Sequence, residues 1–283
     1  MTERLADISA RIDGIEKLGS VVNAMRGIAA ARSRQAQAEL AAVDSYAEAI
    51  KAAIGRILPM VRMPYAGHGA GPPRRAIVVF LAEEGFVSNF SEKVLGTLAD
   101  WETSALLLVG TRGGALAREQ GLKPLWQGAM PSRTASIPKL ADMLAEVIYR
   151  GVTEAAIGTL DVFYATVGAA GVVETRRAPL LPFDPSGMPD AAGNREPLLQ
   201  LPPADLLAKL AGEYLHAQLC QAALHAFAAE NQARMQAMAR THGAVERMLE
   251  SLQGRQRIVR QEEITAEIIE LAAGETASRR TAR

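Results

Sequence analysis

The chain has 283 residues, room for one or two domains, and 49% of them are hydrophobic, ample for a core. Thirty-one acidic and thirty-one basic residues cancel, which argues against general affinity for nucleic acid or other polyanions. The single Cys220 excludes an internal disulfide and fits a reducing cytoplasm.

Residues 1–58 read as one long helix. Leu5, Ile8, Ile12, Ile15, Leu18, Val22, Met25 and Ala29 recur at spacings of three and four, the period of a coiled-coil seam. Thr2 stands where an N-cap would, and the acidic Glu3 and Asp7 suit the positive end of the helix dipole. With Arg4 they also make this segment unlike a signal peptide. Gly14, Gly19 and Gly27 lie inside the helix, each costing about 1 kcal/mol against alanine. Two explanations stay open: a partner backbone approaches closely, or the helix must be thin because it passes through something.

All fourteen prolines fall between Pro59 and Pro203, and residues 59–203 read as an inserted α/β domain. Ala76–Leu81, Ala105–Val109 and Leu160–Val167 are strand candidates. Ser91–Trp101, with Ser91 as its cap, and Pro138–Arg150 are helix candidates. Strands alternating with helices imply a small α/β domain with a largely parallel sheet. Gly168–Pro203, rich in Gly and Pro, leads back by strand and loop to the last element.

Two places in this domain resemble reaction centres. Val109-Gly110-Thr111-Arg112-Gly113-Gly114 follows a strand and precedes a helix, as a phosphate-cradling loop would. It lacks the Lys-Ser/Thr of a Walker loop and the full GxGxxG spacing, so a turn is the preferred reading. Glu83 and Glu84 are adjacent carboxylates, and adjacent positions do not face one another in regular structure. His68, His216, His225 and His242 have no metal-ligand spacing and read as solvated or seam-edge side chains. No catalytic residue, metal site or cofactor site is expected.

Residues 204–283 form the longest element. From Ala204 to about Ala273 there is no proline, and Leu210, Tyr214, Ala217, Leu224, Ala228, Met235, Met238, Val245, Leu249, Leu252 and Val259 keep the three-four spacing. The methionines at 235, 238 and 248 read as core. A helix of that length would run roughly 100 Å, too long for one small core to cover. The expected fold is therefore α/β with a long antiparallel coiled coil, the N- and C-terminal helices paired and the α/β domain inserted between them. No uncharged apolar run reaches the roughly eighteen residues that cross a bilayer, which suggests a soluble or membrane-peripheral protein.

Several stretches resemble one family. Ala24-Met25-Arg26-Gly27-Ile28-Ala29-Ala30-Ala31-Arg32-Ser33-Arg34-Gln35-Ala36-Gln37 is similar to the N-terminal signature of the gamma subunit of F-type ATP synthases, and Tyr46-Ala47-Glu48 and Ile54-Gly55 also match its first helix. Ala233-Arg234-Met235 followed by Ala237-Met238 resembles its ARM-x-AM element. Ile264-Thr265-Ala266-Glu267, Glu270 and Gly274 match most of its C-terminal signature, with Arg260-Gln261 at the matching distance before it. The chain departs where the family carries an SDRGLCGG-like element, reading Ala82-Glu83-Glu84-Gly85-Phe86-Val87-Ser88-Asn89 instead. It departs again at Ser20, Asn23, His242-Gly243 and Glu275, which points to a divergent bacterial member, from an alternative ATPase operon.

The resemblance implies a non-catalytic rotor stalk, with a Rossmann-like α/β domain inserted between its two helices, that couples ion flow through a membrane ring to ATP synthesis or hydrolysis in an alpha-beta hexamer. Its implied partners are the alpha and beta subunits, the epsilon subunit and the c-ring, with no nucleic acid, small-molecule substrate or cofactor. Its implied place is peripheral, on the cytoplasmic face of the bacterial inner membrane. Met25, Arg26, Arg260, Gln261, Thr265 and Glu267 are the implied contacts to alpha and beta, and Gln261–Leu271 is expected to run close to Met25. Bare periodicity also allows a cytoplasmic coiled-coil scaffold with an α/β head. A nucleotide-binding enzyme in the middle domain is a third reading.

Overall fold

The computed structural model describes residues 5–61, 74–98, 101–153, 157–183 and 198–281, with side chains in the last helix described to residue 273. Thr2, His68 and the terminal residues 282–283 lie outside the described residues. The chain divides into two compact units, one of Met1–Ile28 with Met235–Arg283 and one of Ala29–Arg234. Helix α1 (Leu5–Ile57) and helix α5 (Pro203–Thr281) each run through both.

In the larger unit, five strands form one sheet in the order β3-β2-β1-β4-β5. These are β1 (Arg74–Phe80), β2 (Ala105–Val109), β3 (Trp126–Gly128), β4 (Ile157–Val167) and β5 (Val173–Leu181). The first four are parallel and β5 pairs antiparallel with β4, as the alternating strand and helix pattern requires. The crossovers are α2 (Phe90–Leu95), α3 (Thr111–Glu119) and α4 (Ile137–Thr153).

The central strands are buried on both faces, which is why they read as unbroken apolar runs. Val78, Phe80, Leu107 and Val109 point to one side, where Leu140, Leu144 and Ile148 of α4 meet Leu219, Ala223 and Phe227 of α5. Ile77, Val79, Leu106 and Leu108 point to the other, under Phe90 and Val94 of α2 and Ala117 of α3. Between α1 and α5 the contact is made of small side chains. Ala36 and Ala228 are fully buried, and Ser33 Oγ donates to the Ala228 carbonyl at 3.0 Å.

In the smaller unit the expected seam pairs α1 with α5. Ile8, Val22, Met238 and Val245 are buried, and Gln256 Nε2 donates to Ser9 Oγ at 2.9 Å, so the pairing is antiparallel. Two residues leave the expected stripe. Leu18 is 47% exposed, because Gly19 is the residue that faces Val245. Met248 is 53% exposed rather than core.

The glycines divide accordingly. A Cβ on Gly19 would sit 3.1 Å from Val245 Cγ1, a close approach, whereas one on Gly14 or Gly27 would meet nothing within 4 Å. Three boundaries also move. Asn89, not Ser91, precedes α2, and that helix stops at Leu95 before Gly96 instead of reaching Trp101. Helix α5 continues past Ala273 to Thr281.

Candidate functional site

The carboxyl ends of β1, β2 and β3 are where open α/β sheets hold ligands. Here the chain turns sharply: Gly110 has φ +110°, and a Cβ on it would strike the Leu81 carbonyl oxygen. The N-terminus of α3 is thereby aimed at the crevice, but the crevice is filled from within. Glu83 accepts from Thr111 N–H at 2.8 Å, Thr111 Oγ1–H at 2.8 Å and Met130 N–H at 2.9 Å. A carboxylate of the chain itself takes the position a phosphate would need, and repulsion keeps a second anion out. Beside it lies a cleft of about 360 Å³ whose one guanidinium, Arg112, stands among Glu92 and Glu119. That lining offers no net positive field. The stretch is neither a phosphate loop nor a longer turn: Gly110 alone makes the bend, and Thr111–Gly114 already form the first turn of α3.

Glu84 turns away from Glu83, as adjacent residues must. Its backbone N–H donates to Glu230 Oε1 at 3.0 Å, and its carboxylate lies 3.6 Å from Arg234 on α5 and 3.6 Å from Arg32 on α1. Arg234 is 5% exposed and Glu230 3%. The guanidinium donates to Glu230 Oε1 at 2.6 Å, Asn231 Oδ1 at 3.0 Å and the Gly85 carbonyl at 3.1 Å. Burial pushes the Glu230 carboxyl up, against the pull of Arg234 and of the backbone N–H donors of Glu84 and Glu83. Arg234 is the arginine of the ARM-x-AM element, so that resemblance marked a residue whose partners sequence alone did not reveal.

A second cluster has the look of a catalytic series. Cys220 Sγ lies 3.9 Å from both ring nitrogens of His216, whose Nε2 is 3.1 Å from Asp142 and 3.3 Å from the Pro138 carbonyl. Burial, helped by the Asp142 charge, pushes the thiol up to about 12. A nucleophile must be thiolate, and this one is not at neutral pH. His216 is a tether between α4 and α5. His225 is half-buried and stacks on Tyr164 at 5.7 Å, so it is a packing residue and not a solvated one.

The residues implied as partner contacts are not gathered in one place. Met25 is half-buried in the seam, and Arg26 Nη2 donates to Asn23 at 2.8 Å. Arg260, Gln261, Thr265 and Glu267 are exposed on α5, where Thr265 Oγ1–H donates to the Gln261 carbonyl at 2.7 Å. Gln261–Leu271 does not run beside Met25. With Ser9 against Gln256 and Gly19 against Val245, Met25 falls opposite the turn around Met238, and Gln261 lies past the described part of α1. Along that overrun Ile264, Ile268, Ile269 and Leu271 are all exposed. Among the described residues no helix is long and apolar enough to cross a membrane.

Paired terminal helices with an inserted α/β domain, its ligand crevice closed by its own carboxylate, define a helical-stalk class of protein. The chain belongs to the ATP synthase family, whose model matches residues 4–277. It is similar to the ATP synthase gamma chain of Prosthecochloris aestuarii, 25% identical over 95% of this chain and 97% of that one. It is also similar to the gamma chain of Solibacter usitatus, 24% identical over 97% and 99%. Among solved structures, a chain of the Euglena gracilis mitochondrial ATP synthase OSCP/F1/c-ring assembly matches with a TM-score of 0.63 at 13% identity, covering 96% of this chain and 94% of that one. A chain of the rotor from the same organism's enzyme matches with a TM-score of 0.60 at 11% identity, over 92% and 98%. At those identities the structures show a shared fold.

Proposed function

We infer that this chain is the gamma subunit of a rotary F-type ATP synthase, the central stalk that couples ion movement through a membrane ring to ATP synthesis or hydrolysis in an alpha-beta hexamer. The observation that carries this reading is the family match from residue 4 to residue 277, which spans both terminal helices and the inserted domain together. A generic scaffold has no reason to carry one family's pattern at both ends. The stalk does no chemistry. An asymmetric shaft presents different faces to successive catalytic subunits, and only contacts that differ between their states bias those states. Its partners are alpha, beta, epsilon and the c-ring, and its place is the cytoplasmic face of the bacterial inner membrane, held there through the complex.

Within this reading the bare part of α5 is the end that enters the hexamer. Its exposed Ile264, Ile268 and Leu271 supply apolar contact, and Arg260, Gln261, Thr265 and Glu267 supply polar contact. Met25 and Arg26 meet alpha and beta further along. Co-expression with alpha and beta should give a complex with one copy of this chain per three of each. Changing Arg260 and Gln261 together to alanine removes charge-assisted hydrogen bonds worth about 1.5–3 kcal/mol each. That should lower steady-state ATP turnover about tenfold or more, with helix content unchanged by circular dichroism. Recovery as a monomer indifferent to alpha and beta would leave the scaffold reading standing.

A further inference from the structure

The buried charges around Arg234 are poorly explained by stability alone. A buried ion pair is often no better than the apolar contacts that could replace it. What a guanidinium bonded to a neighbouring loop adds is direction. Hydrophobic contact is roughly proportional to area and indifferent to orientation, so a helix held by it alone resists separation better than rotation about its own axis. Hydrogen bonds weaken steeply with angle, and two of them cross from α5 to the loop after β1: Arg234 Nε donates to the Gly85 carbonyl, and the Glu84 N–H donates to Glu230. The bonds of Arg234 to Glu230 and Asn231 stay within α5 and hold the guanidinium in place for the crossing one.

The position of the cluster matters as much. Arg234 is the last residue of the larger unit on α5, and Arg32 lies three residues inside it on α1. One oxygen of Glu84 faces Arg32 and the other faces Arg234, each at 3.6 Å. The same residue's N–H is held by Glu230, and its neighbour Glu83 fastens the N-terminus of α3 and the backbone at Met130. Both helices are therefore tied to one strand-end loop in the last turns before they leave the α/β unit.

We propose that the Arg32–Glu84–Arg234–Glu230 cluster is a rotational lock, which fixes the angular setting of both helices against the α/β domain and passes torque between them. It rests on the stalk reading and makes these four positioning residues.

The test uses the full complex in vesicles, reading ions pumped per ATP hydrolysed together with thermal unfolding. Arg234→Lys keeps the charge but loses the directional contact of Nε with the Gly85 carbonyl, so it should lower the pumping ratio at least about twofold while hydrolysis continues. Arg234→Met should lower it further. Asp161→Asn is the control, because Asp161 is another buried carboxylate of the same domain, held by Arg75 and Arg177, and its loss should lower the unfolding temperature without changing the ratio.

Should Arg234→Met fail to assemble, Glu230→Gln, which keeps shape and an acceptor, should lower the ratio by less than Arg234→Lys. An unchanged ratio in Arg234→Lys overturns the lock, as does an equal fall in Asp161→Asn. Failure of the unaltered chain to assemble with alpha and beta would instead overturn the stalk reading beneath it.

Discussion

Glu83 shows how one side chain can settle what a loop is for. Its carboxylate gathers donors from the N-terminus of α3 and from the segment after β3. Glu83→Ala should destabilise the chain by about 2–3 kcal/mol, since hydrogen bonds to a charged group are worth more than neutral ones. Added formate should restore part of the loss, and Glu83→Gln should lose less; a denaturant midpoint measures all three. His225 makes a pH prediction. Its imidazole is held below its usual 6.5, chiefly by burial, with Arg176 lowering it and Asp44 raising it. The unfolded chain then binds the proton more readily, so stability should fall as pH drops below 6.5. His225→Leu should flatten that slope in thermal melts. At the other end of the scale, Cys220 keeps its proton to about 12 against an ordinary 9.0. Stability from the thiol is present below pH 9 and lost as pH climbs toward 12.

At the scale of elements, the long helices were legible because a three-four period held over some fifty residues without proline has few other meanings. The four parallel strands were legible in part, for an apolar run of five or six residues marks the central strands, while three-residue β3 leaves no signal. Ser91 was misread because a serine at a helix start resembles a cap; it lies inside α2 and its Oγ accepts from the Ala82 N–H. The role of Glu83 could not be read at all, since two of its three donors are backbone amides, 28 and 47 residues away, and amides have no sequence signature. The helix glycines were legible as an oddity whose cause stayed open. With open space beside Gly14 and Gly27, alanine at either should stabilise the isolated chain by about 0.5–1 kcal/mol. If those sites must stay thin inside the hexamer, the same changes should slow turnover of the complex. Gly19→Ala should behave oppositely in the isolated chain, because Val245 has to give way.

At the scale of the molecule, two facts about α5 stand together: it outlasts its partner helix, and its bare end is apolar. Contiguous exposed apolar surface rarely stays free on a monomer. The isolated chain should therefore self-associate as its concentration rises. Changing Ile264, Ile268 and Leu271 to serine should return it to a monomer by sedimentation, and should also weaken its capture by alpha and beta. Association that persists in the triple variant would place the sticky surface elsewhere.

The hydrogen bond between Ser9 and Gln256 joins two residues made far apart in time. A ribosome adds about 5–20 residues per second, so the first helix waits on the order of ten to fifty seconds before the turn that covers Ile8 exists. The α/β unit ends at Arg234, so all of it has been synthesised before that later segment. Throughout the delay Ile8, Ile12, Ile15 and Val22 have no native cover, which makes the leading end of the nascent chain the segment most in need of a holding chaperone.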